Sequence, residues 1–435
     1  MKMNIVELVK NAGVVGAGGA GFPTHIKLSA KVDTVIANGA ECEPLLRCDQ
    51  QMMALYAERV VRGIQLVVES TGAKNGIIAL KEKYHKATES LEREISKLSQ
   101  KNISIFHLGN FYPAGDEFVL VYEVTGKIIP EGGLPLDVGL VVDNVVTLMN
   151  IANAVDGKPV TDRPLTVCGS VKNPLTAFFP VGTLISEVIK FAGGSPLAEY
   201  TVLDGGPMMG TIVPENASIT KKTSGILVLP SDSEVVYQKS NKHAVKQIKS
   251  ACEQCQDCTE ICPRFLLGHG LECHKIQRST SAGLQDNITM AFMCCECGLC
   301  DWVCPVKLLP RRINQESKKL LFKQGIKNPH HKTPPAVHPM REYRRVPIER
   351  VLGRLDLIKY DKPAPFTDKK FDISEVKIPL RQNAGVSAEA IVKVGDVVKK
   401  GQLIAKIPEG KLSANIHASI DGKVTEVSNF IKIER

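Results

Sequence analysis

Most of the 13 cysteines in this 435-residue chain fall between positions 252 and 304, in a pattern that repeats. Cys252-x2-Cys255-x2-Cys258-x3-Cys262 is followed by Pro263, and Cys294-x2-Cys297-x2-Cys300-x3-Cys304 is followed by Pro305. Three thiolates in one tight loop can reach three irons of a cubane, while loop amides donate to the sulfurs. The fourth iron then needs a ligand from elsewhere. Two zinc sites are the alternative, but zinc is usually held by paired CxxC knuckles separated by a longer gap. Two closed runs, each ending in Cys-Pro, point to two [4Fe-4S] clusters. One cluster could serve as a sink; two make a wire.

This segment resembles a bacterial-type dicluster ferredoxin. In such proteins the last cysteine of each run ligates the cluster of the other run. The resemblance assigns Cys252, Cys255, Cys258 and Cys304 to a first cluster, and Cys294, Cys297, Cys300 and Cys262 to a second. Cys273 and Cys295 stand outside the pattern as bystanders, with Cys295 a possible competitor.

The elements that must position these cysteines belong to a chain too long for one ordinary core, so about two to four domains are expected. The stretch GLVVDNVVTLMNIANAV is broken by Asp143, Asn144 and Asn150. It falls short of the roughly 18–20 apolar residues of a membrane span. MKMNIVELVKNAG shows no secretory h-region with a cleavage site, so a soluble, intracellular (cytoplasmic) protein is expected. In that setting clustered cysteines indicate metal rather than disulfides. The net charge of +9 is concentrated in HHKTPPAVHPMREYRRVPIERVLGR, where aromatic residues are scarce. This stretch reads as a solvated basic linker, with docking to an acidic protein surface as the alternative; nucleic acid is not an expected partner.

Strands are expected at 32–39, 76–81 and 103–109, with helices at 52–72 and 83–100 between them. That alternation implies a parallel α/β sheet. Asp116 is expected to cap a helix that ends near Gly126. Residues 160–230 read as a β-rich unit around one helix closed by Gly193-Gly194. The cysteine segment is mostly helical between its loops. Beyond the Pro- and Arg-rich stretch, glycine turns about every ten residues imply a compact all-β module. The resulting units are 1–158, 159–235, 240–322, a linker at 323–370, and 371–435.

A wire needs a source. VVGAGGAGFPTHIK contains GxGxxG as Gly16, Gly18 and Gly21, but it follows a helical stretch and runs into Phe22-Pro23. A dinucleotide fingerprint follows a strand and opens a helix, so the Rossmann reading fails on context. A glycine loop can still bring backbone amides close to a phosphate or a flat ring, with Lys27 supplying charge. VIANGAECEPLLRCDQ ends a strand at Asn38 and presents Glu41 and Glu43; YPAGDE adds Asp116 and Glu117. Carboxylates at strand ends suit ligand hydroxyls or a nicotinamide ribose, and a solvated loop is their simpler reading.

GAGGAGFPTHIK, NGAECEP, YPAGDE and LPLDVGLVVDNVVT together resemble the flavin-binding subunit of respiratory complex I and the C subunit of Rnf electron-transport complexes. The resemblance implies an FMN site lined by Gly16, Gly18, Gly19, Lys27, Asn38, Glu41, Glu43, Gly115, Asp116, Glu117, Asn144 and Thr147. It implies NADH as electron donor, with Glu41 and Glu43 placing NADH and flavin. The chain departs from the complex I pattern in having Ala17 where that pattern has Arg, Ala40 where it is acidic, and Asp143 for the first of two Asn. Residues 159–235 are similar to the soluble-ligand-binding β-grasp (SLBB-like) domain, and 371–435 to a barrel-sandwich hybrid in which Lys411 is not a lipoyl site. The implied fold is multidomain α/β, adding an α-helical dicluster ferredoxin unit to these.

In Rnf complexes the barrel-sandwich module precedes the flavin domain; here it comes last. That order, with GVVGAGGAGFPTHIKL and ECEPLLRCDQQMM, resembles the cobalamin reductases of propanediol-utilisation microcompartments. The implied activity passes electrons from NADH through FMN and two [4Fe-4S] clusters to a corrinoid. The implied acceptors are a corrinoid, a corrinoid-dependent enzyme or an adenosyltransferase, with microcompartment shell proteins as further partners. An NADH-input subunit of an Rnf-like membrane complex is the alternative.

Overall fold

Apolar strands alternating with helices in the first third of the chain close into a four-stranded parallel sheet. Its strands are β1 (Thr34–Gly39), β2 (Asn75–Lys81), β3 (Ile103–Leu108) and, after the short β4 (Phe111–Tyr112), β5 (Leu140–Asn144). Their order is β3-β2-β1-β5, all neighbours parallel. The computed structural model describes residues 4–98, 101–369 and 371–435. Residues 1–3, the last two of the helix expected at 83–100, and the final residue of the expected linker lie outside the described residues.

The helix expected at 52–72 is two helices, Cys48–Leu55 and Ala57–Thr71, broken at Tyr56. The break has a packing cause. Tyr56 leaves the helical region, and its ring packs edge-on against Phe178 at 5.6 Å and Phe366 at 6.1 Å between centroids. Asp116 caps Glu117–Thr125 by accepting from the Phe118 and Val119 N–H groups, and Gly126 ends that helix in the left-handed region.

The β-grasp unit is a five-stranded sheet of β6 (Asp162–Gly169), β7 (Leu175–Pro180), β8 (Tyr200–Asp204), β9 (Thr211–Val213) and β10 (Gly225–Pro230), ordered β7-β6-β10-β8-β9. Helix Ile185–Phe191 covers one face. The C-terminal unit has a four-stranded and a three-stranded sheet sharing one core of Val376, Ile378, Ile404, Ile416, Val424 and Ile431.

The Pro- and Arg-rich stretch is not the solvated linker expected. β11 (Val346–Pro347) pairs antiparallel with β4, and helix Ile348–Arg354 follows it. Val346, Val351, Leu352 and Leu357 enter one core with Leu46 and Tyr112 of the α/β unit, Leu203 and Leu227 of the β-grasp, and Leu299 and Trp302 of the cysteine segment. Arg341 and Arg345 both pair with Glu123, and they lie over the rings of Tyr122 and Phe111. The segment is a strap in which Arg341, Arg344 and Arg345 are paired with carboxylates inside the chain.

Candidate flavin and iron–sulfur sites

Strand order alone marks a ligand crevice. Chain progression runs β1, β2, β3 to one side, then β5 lies on the other side of β1, so the order reverses between β1 and β5. In open α/β sheets, ligands sit outside the carboxyl ends of strands at such a point. Asn38 and Asn144, register partners at those ends, flank it.

The glycine loop lies beside this crevice. The Val15–Pro23 bridge and the Gly16 N–H donating to the Phe22 carbonyl at 2.9 Å close its neck. A Cβ on Gly18 would meet the Asn144 side chain at 3.5 Å, and the Ala17 N–H donates to Thr147 Oγ1 at 2.9 Å. Gly19 has φ +106° and open space where a Cβ would stand, so bare backbone faces outward there. A guanidinium from the β-grasp unit reaches the loop at Ala17. Buried Arg163 donates to the Ala17 carbonyl at 2.8 Å and to the Thr223 carbonyl at 2.5 Å.

Lys27 donates to the Val142 carbonyl at 2.6 Å and lies 3.6 Å from both Asp143 and Glu117. Burial pulls its pKa down, but the two carboxylates outweigh burial and hold it above the ordinary value, so it stays charged. Asn38 donates to the Gly115 carbonyl at 2.9 Å, and the Gly115 N–H donates to Cys42 Sγ at 2.6 Å. Asn144 caps helix Val145–Val155 and donates to Asp49 at 2.8 Å.

Three expected ligand-facing carboxylates are committed to other groups. Glu41 accepts the Asp49 and Gln50 N–H groups at 2.7 and 3.1 Å, holding the start of helix Cys48–Leu55. Glu43 accepts the N–H groups of Met208 and Met209 at 2.9 and 2.6 Å, in a turn of the β-grasp unit. Asp116, besides its cap, takes both guanidinium nitrogens of buried Arg264 at 2.7 and 3.0 Å. Glu117 remains half-exposed beside Lys27. Glu41 is thus engaged by the helix that follows it, and Glu43 and Asp116 by donors more than 140 positions away.

Burial, then the Asp49 carboxylate, pushes Glu41 up to about 7, against the pull of its backbone donors. A value raised above the usual 4.5 means its stabilising contribution is full below about pH 4.5 and is lost as pH rises through about 7. Glu41→Gln is therefore expected to flatten the loss of stability across that window. Urea midpoints measured between pH 4.5 and 8 check this, and an unchanged slope assigns the titration to another group.

In the cysteine segment, the thiols of the two runs interleave. Burial, then the sulfurs of Cys300, Cys255, Cys252 and Cys304, pushes the Cys258 thiol up, and Cys255 and Cys252 in turn act on Cys304, so sulfurs of both runs lie close together here. Cys262 lies with Cys294, Cys297 and Cys300 around one small cavity, and Cys273 and Cys295 line it as well. Among the described residues no three His, Cys, Asp or Glu side chains gather tightly enough for one metal ion. Sulfurs ringed around a cavity suit a cubane better than a single tetrahedral ion. Gln277 and Asn314, both buried, donate to Cys258 Sγ at 3.2 Å and Cys294 Sγ at 3.3 Å. Neither stands out in the sequence; a polar residue on the buried face of a helix is the available signal.

The residues present also fit a flavin. Asp143 Oδ2 is buried and meets no donor among the described residues, and Gly19 leaves the loop face open. A ligand hydroxyl or ring N–H can satisfy the first, and a flat ring or phosphate can approach the second.

Four stretches of the chain match known family domains. Residues 9–153 match the Nuo51 FMN-binding domain, 164–212 the SLBB domain, 251–309 the 4Fe-4S dicluster domain and 368–434 the RnfC barrel sandwich hybrid domain. Over 98% of its length the chain is 41% identical to the cobalamin reductase PduS of Citrobacter freundii and covers 94% of it. The chain belongs to the cobalamin reductase family. The Salmonella typhimurium member is 42% identical over the same shares of both chains. Beyond the cobalamin reductases, the C subunit of the Na+-translocating ferredoxin:NAD+ oxidoreductase complex of Acetobacterium woodii is 39% identical over 60% of this chain and 58% of that one. An NAD+-reducing [NiFe]-hydrogenase shares the fold at a TM-score of 0.51 and 21% identity, over 75% of this chain and 63% of that one. Like its relatives' domains, this cobalamin reductase family member pairs an FMN-binding fold with a dicluster fold. No helix among its described residues is long and apolar enough to cross a membrane.

Proposed function

We propose that the chain is an NADH-dependent cobalamin reductase, receiving a hydride at the glycine-loop crevice and passing single electrons along two cysteine sets to a corrinoid. One observation carries the reading: the Tyr112 hydroxyl, on β4 of the flavin domain, donates to the Cys297 carbonyl at 2.7 Å in a buried seam. The FMN-type unit and the second cysteine set thus share a hydrogen bond rather than a tether. Bound FMN supplies the exchange between a two-electron hydride donor and one-electron clusters.

The residues divide that work. Gly16, Gly18 and Gly19 offer backbone to the cofactor, and Asn144 and Thr147 hold that loop in place. Lys27 presents a charge, Glu117 and Asp143 offer acceptors, and Asn38 and Gly115 close the far wall. Glu41, Glu43 and Asp116 act as positioning residues. Cys252, Cys255, Cys258 and Cys304 hold one cluster; Cys294, Cys297, Cys300 and Cys262 hold the other. Cys297 is buried against the flavin domain whereas Cys255 is exposed, so the second set is the inner one and the first set the outlet. Kinship with cobalamin reductases supports a corrinoid acceptor, and we extend it to a corrinoid carried by a corrinoid-dependent enzyme or an adenosyltransferase. We place the protein with propanediol-utilisation microcompartments and their shell proteins on the family resemblance.

Anaerobic protein given NADH should lose its flavin absorbance, develop cluster EPR signals and reduce cob(II)alamin. Cluster reduction without corrinoid turnover, together with co-purification with membranes, would favour the membrane-complex reading. Gly19→Val adds a side chain where φ is +106°, a strain of about 1–3 kcal/mol. FMN affinity is expected to fall roughly tenfold or more, read from acid-released flavin fluorescence, with the cluster spectrum unchanged.

A further inference from the structure

Two fully buried carboxamides stand against the cysteine sets, one at each, and at the first set the half-buried Gln254 also donates, to Cys252 Sγ at 2.9 Å. Gln277, on helix Cys273–Ala282, is 2% exposed and donates Nε2–H to Cys258 Sγ. Asn314, on helix Pro310–Lys323, is fully buried and donates Nδ2–H to Cys294 Sγ. Neither Gln277 Oε1 nor Asn314 Oδ1 meets a donor among the described residues. A buried amide with an orphaned oxygen costs about 1–3 kcal/mol, and an apolar side chain of the same shape would avoid that cost. The arrangement is hard to explain as packing. It makes sense if the amide nitrogen has an acceptor strong enough to compensate, and a thiolate sulfur is one. A thiolate accepts and cannot donate, so the NH2 end of each amide must face it.

We propose that Gln277 and Asn314 are tuning residues, each setting the reduction potential of one [4Fe-4S] cluster independently of the other. The proposal rests on the assignment of the two cysteine sets given above. A hydrogen bond to a ligand sulfur stabilises negative charge, so it favours the reduced cluster, which carries one electron more. Removing it lowers the potential. Since Gln277 touches the outlet set and Asn314 the inner one, the pair fixes how steeply the potential changes along the wire.

The test uses the full chain with both clusters assembled. In the unsubstituted protein, potentiometric EPR must first resolve two [4Fe-4S] signals; fewer would overturn the cluster assignment itself. Gln277→Met is then expected to shift the midpoint of one signal downward, the reduced fraction at fixed potential dropping about tenfold, or about 59 mV for one electron. Asn314→Leu should shift the other signal by a similar amount. Thermal stability should be unchanged or higher in both variants. Assembled clusters with unmoved midpoints, or both signals moving together in either variant, would refute the proposal. Should a variant fail to assemble, protein retaining Gln277 and Asn314 and carrying 15N in its Gln and Asn side-chain amides supplies a second reading. In a Gln254→Met background, which removes the other amide at the first set, pulsed EPR should detect an amide nitrogen coupled to each cluster, and no coupling at either cluster counts against the roles.

Discussion

Cys262→Ser is expected to remove the cluster of the second run and spare that of the first, to which Cys262 is closer in sequence. Cys262 ends the first run and leads into the short helix Pro263–Leu266, and its sulfur shares a cavity with Cys294, Cys297 and Cys300. A serine oxygen is a poor substitute for a soft thiolate on iron. Iron content should fall from about eight to about four atoms per chain. With the inner cluster gone, NADH-driven reduction of an acceptor should fall further than the roughly 10–100-fold lost when a supporting residue is changed. Cys273 and Cys295 line the same cavity, so Cys262→Ser with Cys273→Ala and Cys295→Ala closes the route by which a neighbouring thiol could rescue the site. Iron analysis and EPR read the outcome. Loss of the Cys252–Cys255–Cys258 cluster, with the other retained, would break the crossover.

Asp116→Ala should be the most destabilising single change at the seam. It removes a helix cap, worth about 1 kcal/mol, and it strips buried Arg264 of its two hydrogen bonds. Breaking one side of a buried pair costs about 3–5 kcal/mol because the remaining charge stays buried. Arg264 also lies over the Phe118 ring at 3.6 Å, so it cannot swing to water without vacating that contact. A fall of about 10 °C in the first calorimetric transition is expected. Adding Arg264→Met should restore most of it, since an apolar side chain has no charge to satisfy. Asp116→Ala within about 1 kcal/mol of the parent would show that the pair is not what joins the two units.

The difference between what was and was not legible follows sequence distance. Cysteine spacing, the Asp116 cap with Gly126, and the strands at 32–39 and 76–81 are local patterns, and each is written within a dozen or so residues. Both ends of the Asp116–Arg264 pair are visible in the sequence, but their partnership spans 148 positions. Arg341 reads as solvated for the same reason, its carboxylate partner Glu123 being 218 positions away. Val346, Ile348, Val351 and Leu352, interspersed with charges, are the apolar face of a docked segment. The Arg and Glu residues around them give the stretch a local polarity that hides this face. The break at Tyr56 was hidden because its cause, Phe178 and Phe366, lies in other units.

The strap bears on how electrons can move. The cysteine segment leaves the β-grasp unit through helix Glu234–Ser240, whose Val235 and Val236 enter the same core that receives Val346 to Leu357 of the strap. It is therefore held at both its entrance and its exit, like a bridge with two abutments. Many redox proteins rely on a tethered carrier that swings between partners, and their turnover slows as the solvent thickens. With the segment packed at both ends, internal transfer is expected to run across a fixed span, and its rate should then be indifferent to solvent viscosity.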